Sequence, residues 1–258
     1  MNQSCISNID AIIFDLTGTI INSRQSYLRV IELTVNNYLK STVITQGEIR
    51  RIKGVIGYNN EWDTSYALVT LIQNKIPLNE WEKEAQKLLP INQNDPLFKK
   101  LYNIFQTCYL GSELFRKLEN GNPPFEYSPG LITLETSYVD KKLIRDIKKA
   151  GYKIAIATGC PYAEAIITLK AQGLIGEDYF SEDTVVSRED TDKLKPDPAP
   201  ILEAKRRINA INPIYIGDNI SDVEASRRAN IPCIFLNDQY PTLNPNDTTI
   251  NQILKMFL

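Results

Sequence analysis

Apolar residues gather along this chain in two rhythms, and the change of rhythm divides it. Short apolar runs occupy residues 10–14, 153–157, 184–187, 213–216 and 232–236, the first ending at Asp15 and a Thr17-Gly18-Thr19 turn. They predict buried strands, because a continuous apolar run bounded by turn signals suits a strand covered on both faces. Residues 139–150, 162–172 and 198–208 carry helix-like patterns between them. Strands alternating with helices predict a parallel sheet with helices on both sides.

From residue 22 to 124 the rhythm is helical instead. Tyr27, Val30, Ile31, Thr34, Val35 and Tyr38, then Leu97, Leu101, Ile104, Phe105 and Cys108, recur at the spacing of one helix face. Gly121-Asn122-Pro123-Pro124 punctuates the end of this stretch, and Ser128-Pro129-Gly130 leads back toward the sheet. The expected fold class is therefore α/β. A doubly wound, Rossmann-like parallel sheet would be built from residues 1–21 and 125–258, with an all-helical cap domain inserted as residues 22–124.

Open parallel sheets bind ligands beyond the carboxyl ends of their strands, where strand order reverses. The residues that should converge there are Asp15, Thr158-Gly159, Lys195, Asp218 and Asp222. Together they supply what phosphoryl transfer through a carboxylate requires. Asp15 would attack phosphorus, and Asp218 and Asp222 would offer oxygen ligands to Mg²⁺. The Thr158 hydroxyl and the backbone N–H of Gly159 would bind phosphate oxygens. Lys195 would place positive charge beside nucleophile and phosphate.

Composition narrows the alternatives. The chain has 29 Lys and Arg against 31 Asp and Glu, a net charge of -2, so no nucleic-acid or membrane partner is expected. No apolar run reaches the roughly 18 residues of a spanning helix, and no leader is visible, which predicts a cytoplasmic protein, monomeric or homodimeric. The four cysteines are scattered without a CxxC pair, against a zinc site or disulfide framework. There is no histidine in the chain. Histidine-based triads, His-ligated zinc and imidazole acid-base chemistry are thereby excluded.

Four stretches in order, Phe14-Asp15-Leu16-Thr17-Gly18-Thr19-Ile20, Ala157-Thr158-Gly159, Leu194-Lys195-Pro196-Asp197-Pro198 and Ile216-Gly217-Asp218-Asn219-Ile220-Ser221-Asp222, resemble the motifs of the haloacid dehalogenase superfamily. The resemblance implies a Mg²⁺-dependent phosphohydrolase of a small phosphorylated metabolite, with an aspartyl-phosphate on Asp15 and a cap that selects the substrate. It also implies that the backbone carbonyl of Thr17 joins Asp15, Asp218 and Asp222 around the metal. Lys53, Asn59, Asn60 and Glu61 fall where the cap's specificity segment would lie.

The chain departs from that pattern twice. Phosphatases of the family carry a second Asp two residues after the nucleophile, as general acid and base; here that position is Thr17. Either the leaving group needs no acid, or a cap carboxylate such as Glu61 or Asp63 supplies one. Thr158-Gly159-Cys160-Pro161 and Asn59-Asn60-Glu61-Trp62-Asp63 resemble a branch linked with histidine biosynthesis, which carries Arg where Cys160 stands. Two alternatives stay open. One is a weakened member that binds a phosphorylated ligand or partner without turnover, and the other is an enzyme cleaving a phosphonate through an imine on Lys53.

Overall fold

The structure is a computed structural model that describes residues 8–40, 44–58, 60–236 and 249–258. The chain forms two compact units, one of residues 1–23 and 136–258 and one of residues 24–135.

In the first unit the apolar runs become strands β1 (Ala11–Phe14), β4 (Lys153–Ala157), β5 (Val185–Val186), β6 (Pro213–Gly217) and β7 (Cys233–Phe235). They form one parallel sheet in the order β5-β4-β1-β6-β7. All four residues of β1 are fully buried. Successive side chains of a strand leave opposite faces, so Ile12 and Phe14 enter one apolar layer while Ile13 enters another. The first layer includes Ile144 and Ile147 of α6 (Lys141–Lys149) and Leu169 of α7 (Tyr162–Ala171). The second includes Ile201 and Ala204 of α8 (Ala199–Arg207) and Ala225 of α9 (Ile220–Ala229). Helices thus cover both faces, and each fully buried Ile or Phe contributes about 1.5–3 kcal/mol. A charged residue at Ile13 would have no partner in its layer. The last helix, α10 (Thr249–Leu254), adds Ile250 and Leu254 to the first layer.

Three predicted strands are trimmed, the run at 232–236 to Cys233–Phe235 and two others for a visible reason. Only Val185 and Val186 pair with Ile156 and Ala157, while Ser187 turns away to donate its N–H and hydroxyl to Asp190 Oδ2, both at 2.7 Å. Asp10 precedes β1, and its carboxylate accepts the N–H groups of Ile211 and Asn212 at 2.8 Å each. A short antiparallel ribbon, β2 (Ile21–Asn22) with β3 (Thr136–Ser137), is absent from the sequence-based expectation. Two-residue strands leave no periodicity to read.

The second unit is helical, with α1 (Arg24–Leu39), α2 (Gln46–Lys53), α3 (Glu61–Gln73), α4 (Trp81–Leu88) and α5 (Pro96–Leu118). Local chemistry starts three of these. Thr45 and Glu48 form a capping box on α2, Asn60 Oδ1 accepts from Asp63 N on α3, and Asp95 accepts from Leu97 N with Pro96 opening α5. Inside the unit, buried Glu135 accepts from Ser26 Oγ and Tyr109 OH, both at 3.0 Å. Glu119 accepts from Tyr102 OH and from Gln106 Nε2, also at 3.0 Å. No helix among the described residues is long and apolar enough to cross a membrane.

Candidate active site

The sheet order places β1 between β4 and β6, so the chain leaves β1 toward one edge and later returns to its other side. Loops at the carboxyl ends of neighbouring strands diverge at such a reversal, leaving room for a ligand. Asp15 follows β1, and its N–H extends the pairing to Ile216 O at 2.8 Å. Thr158 follows β4 and donates its N–H to Val186 O at 2.9 Å. Asp218 and Asp222 follow β6.

Lys195 lies at the centre of this group. Its Nζ is 2.6 Å from Asp15 Oδ1, 2.6 Å from Asp222 Oδ1, 2.8 Å from Tyr215 OH and 3.1 Å from Ala157 O. The side chains of Lys195, Asp15 and Asp222 are only 9%, 10% and 1% exposed, so these are buried ion pairs. Asp222 does two jobs. Its Oδ2 accepts from Asn219 N at 3.0 Å, completing a capping box on α9, while Oδ1 faces Lys195 and Tyr215. Asp218 Oδ1 accepts from Thr19 Oγ1 at 3.2 Å.

Glycine is required where the loop after β1 approaches Asp218. Gly18 has φ +87°, and a Cβ there would fall 2.1 Å from Asp218 Oδ2. Gly217 is similar, since a Cβ would fall 2.5 Å from Asp222 Oδ2.

Asp15, Asp218 and Asp222 offer carboxylate oxygens that all lie within 4.8 Å of one another. One ammonium cannot neutralise three carboxylates. Burial, with repulsion from Asp222 and Asp218, pushes the Asp15 carboxyl up to about 8 against the pull of Lys195. Burial and Asp222 likewise push Asp218 up to about 6. Burial alone would lower Lys195, but Asp15 and Asp222 outweigh it and raise it. Burial and the nearby Asp222 raise the Tyr215 hydroxyl well above its usual range. The arrangement is a buried, oxygen-rich cluster in which carboxylates outnumber the ammonium.

The profile of haloacid dehalogenase-like hydrolases matches residues 9–230, which include every one of these groups. The chain belongs to that family. A phosphoglycolate phosphatase of Rhodobacter capsulatus is 23% identical over 230 residues, covering 89% of this chain and 85% of that protein. Another, from Psychrobacter arcticus, is 35% identical over 100 residues, covering 38% and 41%. Phosphatase Tt82 from Thermococcus thioreducens shares the fold, with a TM-score of 0.70 at 21% identity over 95% of this chain and 98% of that one.

In this haloacid dehalogenase-like hydrolase the remaining predicted residues lie as follows. Thr17 Oγ1 is 3.6 Å from Cys160 Sγ. Thr158 is buried, and its Oγ1 accepts from Cys160 N at 3.1 Å, which leaves its own proton to donate. Gly159 has open space around its Cα. In the helical unit Lys53 Nζ donates to Glu61 Oε1 at 2.7 Å, and Asn60 caps α3 while its Nδ2 donates to Asp63 Oδ2 at 2.6 Å. Asn59 lies outside the described residues.

Sequence reasoning missed Tyr215. Its hydroxyl touches Lys195, Asp222 and Ala157 O, and the signal was available, because a tyrosine inside a fully buried strand must find a polar partner. Thr19 and Asn219 were also passed over as parts of the carboxylate frame.

Proposed function

We propose that this protein is a Mg²⁺-dependent phosphatase acting on a small phosphorylated metabolite through an aspartyl-phosphate on Asp15. The observation that carries the reading is the gathering of Asp15, Asp218 and Asp222, with carboxylate oxygens within 4.8 Å of one another, around a single ammonium, Lys195, that pairs with Asp15 and Asp222. The named relatives, both phosphoglycolate phosphatases, support the phosphatase chemistry and make a small phosphorylated acid a first substrate to try.

The donor set fits a hard divalent cation. It consists of carboxylate oxygens, it is buried, and its negative charge exceeds what Lys195 balances. Asp15, Asp218, Asp222 and the backbone carbonyl of Thr17 would hold Mg²⁺, which when bound supplies charge neutralisation for the phosphate. Lys195 fixes the Asp15 carboxylate and lends positive charge to the phosphate beside it. The Thr158 hydroxyl and the Gly159 N–H bind phosphate oxygens. Tyr215 and Asp222 fix the position of the Lys195 ammonium. An Asp15 oxygen forms the bond to phosphorus as the leaving oxygen departs, and water then cleaves the acyl phosphate. Residues 22–124 serve as the cap, with Lys53, Asn59, Asn60 and Glu61 in its specificity segment.

The test is Mg²⁺-dependent phosphate release across 2-phosphoglycolate, sugar phosphates, nucleotides and acyl phosphates, with Asp15→Asn as control. Release that needs Mg²⁺ and disappears in Asp15→Asn is the expected result. Folded protein that binds Mg²⁺ and releases nothing from any of them would favour binding without turnover, the reading that Thr17 and Cys160 motivate.

A further inference from the structure

We propose that the oxygen leaving phosphorus in this site departs without a proton, so that its substrates are phosphoric anhydrides, acyl phosphates above all, rather than alkyl phosphate esters. The inference rests on the phosphatase reading and deepens it.

When Asp15 attacks, the P–O bond to the leaving group breaks and its electron pair stays on oxygen. From an alkyl ester that oxygen is an alkoxide, which needs a proton as it leaves; from an acyl phosphate it is a carboxylate, which needs none. A placed proton donor is worth roughly 10²–10⁴-fold to the ester and little to the anhydride. Among the described residues, the N–H and O–H donors around Asp15 are all committed or too weakly acidic, and the carboxyls of Asp218 and Asp222 are the ones assigned above to Mg²⁺. Lys195 has three N–H bonds and four acceptors already within reach: Asp15, Asp222, Tyr215 and Ala157 O. Tyr215 has one proton, with Ala157 O at 3.2 Å and Asp222 Oδ1 at 3.1 Å to receive it. The Thr19 hydroxyl is given to Asp218. Thr17 and Thr158 are alcohols, no stronger acids than the alcohol they would have to protonate, and the chain has no histidine.

The helical unit offers two carboxylates as substitutes, and both are engaged. Glu61 holds Lys53 at 2.7 Å. Asp63 accepts from the Asn60 side chain at 2.6 Å. A further candidate among the described residues is the Cys160 thiol beside Thr17, and the experiment includes it.

Wild-type protein at saturating Mg²⁺ is assayed on aryl phosphates whose phenols span a range of acidity, together with acetyl phosphate and 2-phosphoglycolate. The proposal expects kcat/KM to fall steeply as the phenol becomes less acidic, and acetyl phosphate to exceed 2-phosphoglycolate by at least about 10²-fold. Thr17→Asp should raise the 2-phosphoglycolate rate by about 10²-fold and flatten the aryl series. A shallow series with 2-phosphoglycolate hydrolysed as fast as acetyl phosphate overturns it. So does selective loss of 2-phosphoglycolate hydrolysis in Cys160→Ala or Glu61→Gln, which would identify the missing donor. Release that persists in Asp15→Asn would instead sink the phosphatase reading, and the leaving-group proposal with it.

Discussion

Both units bury carboxylates, but they balance them differently. In the helical unit Glu135 and Glu119 accept hydrogen bonds from hydroxyl and amide donors, and Glu61 faces Lys53 one to one. In the α/β unit three carboxylates gather around one ammonium, which pairs with two of them, and burial together with their mutual repulsion pushes Asp15 and Asp218 to about 8 and about 6. The first arrangement is complete as it stands. The second lacks positive charge, the difference expected between the proposed cation site and a polar network that holds a fold.

The largest effect that could break this comparison is expected from Lys195→Met. Removing the ammonium leaves buried carboxylates uncompensated, so urea denaturation without Mg²⁺ should show a loss of roughly 3–5 kcal/mol, and phosphate release should vanish. Asp218→Asn should have the opposite sign. It relieves repulsion, so metal-free protein should be as stable as wild type or more so, while the rise in Tm on adding Mg²⁺ disappears. If Lys195→Met cost no more than a surface lysine substitution, the charge imbalance would not be real.

An intermediate effect concerns pH. Unfolded carboxyl groups titrate near 3.9, below the values of about 8 for Asp15 and about 6 for Asp218 in the folded protein. Between those limits the folded state keeps protons that the unfolded state has released, so stability from these groups is full below about pH 4 and is lost as pH rises toward 8. Thermal melts of metal-free protein should therefore fall in Tm from pH 5 to pH 8. The stabilisation by Mg²⁺ should grow over the same range. A Tm that rises with pH in metal-free buffer would contradict both assignments.

The smallest effect sharpens the other side. Lys53 and Glu61 are 30% and 19% exposed, and such a pair is worth about 0–1 kcal/mol, so Lys53→Ala should hardly move the denaturation midpoint. If Lys53 contacts substrate, KM rises while kcat holds. An unchanged KM on every hydrolysed substrate would return Lys53 to a purely local role.

How much of this was legible in the sequence depended on the range of the interaction. Asp15 and Asp218 could be read because each follows an apolar run, with Asp222 four residues beyond Asp218, and strand ends converge in a parallel sheet whatever the details. Tyr215 could have been read from burial alone. The contact of Thr17 with Cys160 could not, because 143 residues separate them and only the register of β1 beside β4 brings them together. The ribbon of Ile21–Asn22 with Thr136–Ser137 was hidden for the same reason, its pairing lying wholly between distant parts of the chain. The engagement of Glu61 by Lys53 was local, eight residues apart, but depended on the loop that joins α2 to α3.

Positions 17 and 18 are neighbours with opposite freedom. A side chain at Gly18 would collide with Asp218, so any lineage that altered it would lose the carboxylate frame at once. Position 17 is half-buried, and its hydroxyl meets a lone thiol. If the leaving group departs unprotonated, a substitution at this one position can exchange one class of leaving group for another while the frame, the nucleophile and the lysine stay where they are. Under the leaving-group proposal the choice between substrates thus sits at one position, beside a glycine that the carboxylate frame holds fixed.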